Sequence, residues 1–160
     1  MVEPSPAFKA LGGDLPSANR FLFTLDGVEV GVFREVSGLE LSVAVEEFAE
    51  GGQNGFRHRM PGRMSWPNIT FKRGITQSNV LFEWLQKSSG EGFAANGDKL
   101  ARSSGAITAV GFDSLPLRSW NLIGVFPIRW KGPEFAADKN EPLHEELEIA
   151  HHGFTAKTHV

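Results

Sequence analysis

The sequence predicts a mainly β domain with one short flanking helix and a long extended loop. Three observations carry this. Apolar and polar residues alternate with period two over several separated stretches, beginning with Phe21, Phe23 and Leu25. The period lengthens clearly to that of a helix at Ser78–Gln86. Between Glu46 and Arg73, in EEFAEGGQNGFRHRMPGRMSWPNITFKR, an acidic run passes into a basic run broken by glycine and proline.

At 160 residues and 41% hydrophobic content, the chain has the size to bury one sizeable core, so a single domain is expected. Met1–Asn19 carries Pro4, Pro6, Pro16, Gly12 and Gly13 without sustained periodicity. It is expected to be an irregular N-terminal extension, with the domain running from Arg20 to Val160. Phe21, Phe23 and Leu25 alternate with Leu22, Thr24 and Asp26, Asp26-Gly27 offers a tight turn, and Val28, Val30 and Val32 alternate again. That pattern predicts a β-hairpin with the three valines on one face. Ser37-Gly38 breaks the second strand, after which Leu39, Leu41, Val43 and Val45 define one face of a third strand.

The charged stretch follows. Glu46, Glu47 and Glu50 precede Arg57, His58, Arg59 and Arg63 with no acid between the basic residues. Gly51, Gly52, Gly55, Pro61 and Gly62 argue against a regular element there. A loop of this length in a small domain is functional or disordered, and Phe56, Met60, Met64 and Trp66 supply apolar anchors that a solvated linker lacks. A projecting arm in need of a partner is therefore expected.

Beyond the arm, Ile69 and Phe71 alternate with Thr70 and Lys72 in a half-buried strand that ends at Arg73-Gly74. Ser78 is placed to cap a helix whose stripe is Val80, Leu81, Trp84 and Leu85, with Glu83 and Lys87 as an exposed pair. Gly90–Gly105 is polar and loop-like. Ile107–Phe112 and Trp120–Trp130 are rich in branched and aromatic residues and predict strands, with Pro116 in the turn between them and Pro127 marking a break or an edge. In the segment LHEELEIAHHGF, Leu143 and Leu147 fit a helix while Leu147 and Ile149 fit a strand, so local pattern leaves it open.

Composition excludes several functions. A net charge of −3 and a pI near 5.9 argue against a general nucleic-acid binder. The absence of cysteine removes disulfides, thiolate metal sites and thiol nucleophiles. No apolar run approaches the roughly 20 residues of a membrane helix, and the N-terminal stretch has neither a charged n-region nor an apolar h-region. Cytosolic synthesis without classical export, and no direct membrane anchoring, are expected. Thirteen Phe and four Trp without any Tyr slightly disfavour a carbohydrate-binding module.

Catalytic candidates do not converge. His144, Glu145, His151 and His152 miss the H-E-x-x-H spacing, and on a strand His151 and His152 point to opposite faces. No G-x-S-x-G elbow occurs, and Gly51–Gly55 fits neither G-x-G-x-x-G nor a P-loop. No catalytic, cofactor-binding or metal-binding residue is predicted. Arg57, Arg59 and Arg63 have two readings: an anion or nucleic-acid site with Phe56 and Trp66 stacking, or pairing with an acidic surface of another copy. The second is favoured. Its candidate contacts are Glu46, Glu47 and Glu50, the basic residues themselves, Phe56, Met60, Met64 and Trp66, and Glu145, Glu146 and Glu148 in the acidic C-terminal region.

Several segments together resemble phage T4-type tail tube proteins and their relatives, the inner tube proteins of extracellular contractile injection systems. They are FLFTLDGVEVGVFREVSGLE, the arm EEFAEGGQNGFRHRMPGRMSWPNITFKRGIT, the helix SNVLFEWLQ, and NLIGVFPIRWKGPEFAADKNEPLHEELEIAHHGF. The most specific pieces are SGLE from Ser37, EGG from Glu50, the run from Pro61 to Gly74, PIRWKGP from Pro127, and E-x-L-E-x-A-H-x-G from Glu145 to Gly153. The resemblance covers about Arg20 to Phe154 and leaves out Met1–Asn19 and Glu91–Gly105.

The resemblance implies an antiparallel β-barrel of two packed sheets with one flanking helix, and a strand for Glu145–His151. It also implies hexameric rings that stack head to tail into a tube, with neighbouring strands continuing into one large barrel around a lumen. A sheath, a baseplate or initiator, and cargo in the lumen (protein, or nucleic acid in a phage tail) are the implied partners, in a phage tail or a phage tail-like particle that is released from the cell. The related alternatives are a tube initiator and a type VI secretion tube protein. A monomeric β-barrel binding module is the alternative from another class.

Overall fold

The structure, a computed structural model, describes residues 17–52, 55–89, 97, 102–138 and 140–158. Residues 1–16 of the expected N-terminal extension, and most of the polar span Gly90–Gly105, lie outside the described residues.

Strands β1 (Ala18–Leu25) and β2 (Val28–Phe33) form the predicted hairpin. Asp26 and Gly27 both take positive φ, 50° and 81°, the left-handed pair that a two-residue turn requires. Ala18 and Asn19, expected in the extension, already belong to β1. The three valines do not share a face. The register shifts between Phe23 and Thr24, which inserts Val30 as an extra residue on β2. Val30 and Phe33 are consequently buried, while Val28 and Val32 are exposed.

At Arg34 the chain crosses to the other side of the barrel, with the Arg34 N–H donating to Lys72 O at 3.0 Å, and continues as β3 (Glu35–Ser37). Gly38 ends β3 at φ 86°, where a Cβ would stand 2.1 Å from Asn68 O. Strands β4 (Ser42–Phe48) and β5 (His58–Ser65) form a separate two-stranded ribbon. Strand β6 (Ile69–Gly74) returns to the barrel and pairs with β3.

Helix α1 (Val80–Ser88) lies against it, with Leu81 buried and Trp84 half-buried, whereas Val80 of the expected stripe is exposed. Asn79 is its N-cap without a side-chain bond; Ser78 Oγ accepts from Val80 N–H at 3.4 Å. Glu83 in the first turn and Lys87 in the last both complement the helix dipole.

Strands β7 (Ser103–Gly111), β8 (Pro116–Lys131), β9 (His144–Ala150) and β10 (Phe154–Thr158) complete the fold. Every pairing is antiparallel, in the order β2-β1-β7-β8-β9-β6-β3, with β10 beside β8. The 16-residue β8 serves both halves: its first part pairs with β7 and β10, its second with β9. Pro127 sits where the β8–β9 register shifts, so the missing N–H falls at a bulge and the strand bends without ending. The HEELEIA part of that segment, His144–Ala150, is β9, with Leu147 and Ile149 fully buried. Burial of that face outweighs its helix propensity.

The two halves enclose one core. Phe71 stacks within 4.6 Å of Phe23 and 5.0 Å of Phe33, ring centre to ring centre, and Trp84 of α1 reaches Phe23 at 6.2 Å. Ile69, Ile107, Leu122, Val125, Leu147 and Ile149 fill the rest. The result is an antiparallel β-barrel of two packed sheets with one flanking helix. Among the described residues, no helix is long and apolar enough to cross a membrane.

Candidate assembly interface

The β4–β5 ribbon contributes nothing to the core: every residue of β4 is exposed, and β5 is exposed at all but two positions. Sequence reasoning held that Pro61 and Gly62 preclude regular structure, and this is corrected: both lie inside β5. A two-stranded ribbon tolerates them because each strand has a free edge, and because the register shifts here: between the pairs Val43–Met64 and Val45–Pro61, Gly62 and Arg63 together oppose Ala44. Gly62 leaves room for the Glu46 side chain, whose Cγ would lie 3.1 Å from a Cβ there.

Cross-strand register sorts the ribbon into two faces. One carries Val43 with Met64 and Val45 with Pro61 near the root, then Glu47 with Arg59 toward the tip. The other carries Ser42 with Ser65, then Glu46 with Met60, then Phe48 with His58. The Ser42 and Ser65 hydroxyls are 2.6 Å apart. At the tip, His58 lies against Phe48 with ring centres at 5.7 Å and meets Phe56 edge-on at 5.1 Å. Each face is thus apolar at one height and polar at the other.

The charges are mostly paired within the ribbon. Arg59 Nε donates to Glu47 Oε1 at 2.8 Å, Arg57 lies 3.7 Å from the other Glu47 oxygen, and His58 lies 3.2 Å from Glu50. The acidic and basic runs, segregated along the sequence, therefore face each other across the hairpin. Arg63 and Glu46 have no ion-pair partner among the described residues and are the polar groups that the ribbon leaves open.

Apolar exposure remains. Val45, Phe56, Met60 and Met64 each leave more than half of their surface accessible, at 58%, 58%, 53% and 52%. Leu41, Val43 and Phe48 add to the patch. Sequence reasoning did not name Leu41, Val43, Val45 or Phe48 as site residues; for the first three, alternation signals a buried face. The missing signal is a partner: among the described residues, no third strand pairs with this ribbon.

The other predicted contacts are placed elsewhere. Trp66 forms the arm's root, edge-on to Phe154 at 5.0 Å and against Gly153 of the β9–β10 turn, where φ is 126°. Beside it, His151 Nδ1 accepts from Gly153 N–H at 3.1 Å, so its proton sits on Nε2 and is donated to Pro67 O at 3.0 Å. Glu145 is buried, paired to Arg73 on β6 and accepting from Trp130 Nε1 at 3.0 Å. Glu146 faces Lys72 at 3.5 Å and His144 at 3.8 Å; Glu148 accepts from Arg129 at 3.1 Å and Asn68 at 3.0 Å. These three acids are engaged within the chain, and Glu145 is inaccessible to another copy.

A β-barrel that buries its core yet projects an apolar, largely charge-paired ribbon defines a subunit with an external arm. The sequence model of the family described as T4-like virus tail tube protein gp19 matches residues 17–155, and the chain belongs to that tail tube family. No curated protein matches the sequence.

Solved structures share the fold. A chain of the PVC sheath–tube complex, an extracellular contractile injection system in its extended state, superimposes with a TM-score of 0.75 at 21% identity, covering 98% of this chain and 99% of that one. A chain of the anti-feeding prophage cap gives 0.74 at 24% identity, over 99% and 95%. A chain of the 6-fold symmetrised anti-feeding prophage baseplate gives 0.71 at 20%, over 99% and 98%.

Proposed function

We propose that this chain is the inner tube subunit of a contractile tail or contractile injection system. Copies form hexameric rings that stack head to tail around a lumen, inside a sheath and on a baseplate, and the tube carries cargo when the sheath contracts. The role is structural: its mechanism is assembly and transmission of force, without an active site. Family membership and the shared fold with chains of sheath–tube and baseplate assemblies support this reading.

The observation that carries it is the arm. Seven large apolar side chains on one solvated ribbon, Leu41, Val43, Val45, Phe48, Phe56, Met60 and Met64, are a liability in a monomer and a ready interface in a polymer. Because the arm's two apolar patches lie on opposite faces, it suits insertion between neighbours rather than lying flat on one. Ring-on-ring contact is heterologous and does not close, so it propagates as a filament.

Negative-stain microscopy of the purified protein tests this: rings or tubes are expected, whereas a lone 17.5 kDa species at all concentrations would overturn it. Val45→Asp combined with Met64→Asp is expected to abolish assembly while leaving the subunit folded. Arg63→Glu should weaken it. Reversal of Arg57 and Arg59 is less informative, because it also breaks their pairing with Glu47.

A further inference from the structure

Sulfur in this chain is confined to thioethers: there are three methionines and no cysteine. One is the initiator position, Met1; the other two, Met60 and Met64, both lie on β5 of the arm, and both are exposed there.

Residues 60 and 64 are an even number of positions apart, so an unbroken strand would turn both side chains to one face. The register shift separates them. Met60 stands opposite Glu46 and Met64 opposite Val43, because Gly62 and Arg63 together oppose Ala44 between them. Each face of the ribbon therefore carries one methionine: Met64 on the face of Val43 and Val45, Met60 on the face of Glu46, Phe48 and His58. An oxidant reaching the free subunit meets an accessible thioether on either side of the arm.

We propose that Met60 and Met64 are sites of oxidative modification by peroxides, and that their oxidation state decides whether the arm can enter its interface. The inference rests on the tube reading and concerns regulation of that arm. The thioether sulfur attacks one oxygen of hydrogen peroxide, the O–O bond breaks and a sulfur–oxygen bond forms; the departing hydroxide takes the proton of the transferred oxygen and leaves as water. Sulfur gives up two electrons and the peroxide accepts them, leaving a methionine sulfoxide.

On a dispersed subunit the new S=O group points into solvent and disturbs nothing in the core. In an interface that covers the arm it carries a strong acceptor into apolar surroundings. With one methionine on each face, an arm inserted between two neighbours has no unmodified side to offer either of them. Losing the burial of one methionine side chain weakens association about tenfold or more. A finished tube covers both sulfurs, so oxidant stops new assembly without dissolving tubes already built.

Dispersed native subunits treated with hydrogen peroxide, quenched, and then set to assemble test this, with peptide mass spectrometry locating the added oxygens. Met60 and Met64 should each gain one oxygen, the melting temperature of the dispersed subunit should stay unchanged, and tube yield should fall about tenfold or more. Met60→Leu combined with Met64→Leu keeps apolar volume, so it should assemble as the native chain does and keep assembling after the same treatment, although it retains Met1. Incubating oxidised native subunits with reductases for both sulfoxide epimers should restore assembly. Preformed native tubes should keep both methionines reduced under the peroxide dose that oxidises free subunits.

If untreated native protein forms tubes and the oxidised protein does so equally well, the inference is wrong and the tube reading stands. The same holds if the double variant loses assembly to peroxide as the native chain does, or if preformed tubes are oxidised as fast as free subunits. Should the double variant fail to assemble even untreated, the reductase arm decides, and no recovery there refutes the inference. If untreated native protein forms neither rings nor tubes, the tube reading itself fails.

Discussion

At the scale of single residues, the most consequential group is Arg73, which lies inside the barrel at 6% exposure. It pairs with Glu145, stands 5.3 Å from the centre of the Phe33 ring, and occupies the space that any side chain at Gly31 would need. Among the described residues its Nη2 has no hydrogen-bond partner. A buried charge held by one carboxylate is vulnerable to loss of that carboxylate. Glu145→Gln keeps an acceptor for Trp130 but leaves the guanidinium uncompensated, and is expected to lower stability by about 3–5 kcal/mol. Denaturant unfolding of dispersed subunits measures it; a midpoint within error of the native protein would refute the assignment. Gly38→Ala should cost about 3 kcal/mol or more, from positive φ and the contact with Asn68 O together. Thermal unfolding of the soluble fraction checks this.

At the scale of elements, the barrel and the arm are separable. No residue of β4 or β5 belongs to the buried core, so replacing residues 44–62 by Asn-Gly should change the subunit's unfolding free energy by no more than about 1 kcal/mol. The same deletion should eliminate tubes in electron micrographs. Loss of folding would show instead that the arm supports the barrel. The root joins arm and barrel through Trp66 against Phe154 and Gly153. Trp66→Ala is therefore expected to loosen the arm's exit angle and reduce tube yield more than it reduces stability. Comparing tube counts with melting temperatures of the same preparation separates the two effects.

At the scale of the whole molecule, the subunit buries one apolar core in the barrel and leaves a second set of large apolar side chains exposed on the arm. That distribution makes stability a property of the assembly. Anything that binds the folded state alone raises its stability by mass action, by about 4 kcal/mol at a thousandfold excess over the dissociation constant. The unfolding midpoint should accordingly rise with protein concentration for the native chain and not for the arm-deleted one. Calorimetry across a dilution series reads this directly. A concentration-independent midpoint in both would count against polymerisation.

Alternation, turn chemistry and ordered motifs determined the class of this protein from sequence alone: the Asp26-Gly27 hairpin, the inward row of β6, the single helix and the tail tube resemblance are all local or sequential information. Tertiary structure decided the rest, because each remaining question concerned pairing across the chain. The bulge at Val30 exchanged buried and exposed valines, since a one-residue insertion inverts a period of two. β5 formed through Pro61 and Gly62 because its partner leaves a free edge. Burial of Leu147 and Ile149 made a strand of a helix-prone segment. Glu47 met Arg57 and Arg59, and Glu145 met Arg73, through register that places residues far apart in sequence side by side. Charge segregation in the sequence pointed correctly to an arm, but which of its charges remain open for another copy is a fact of cross-strand geometry.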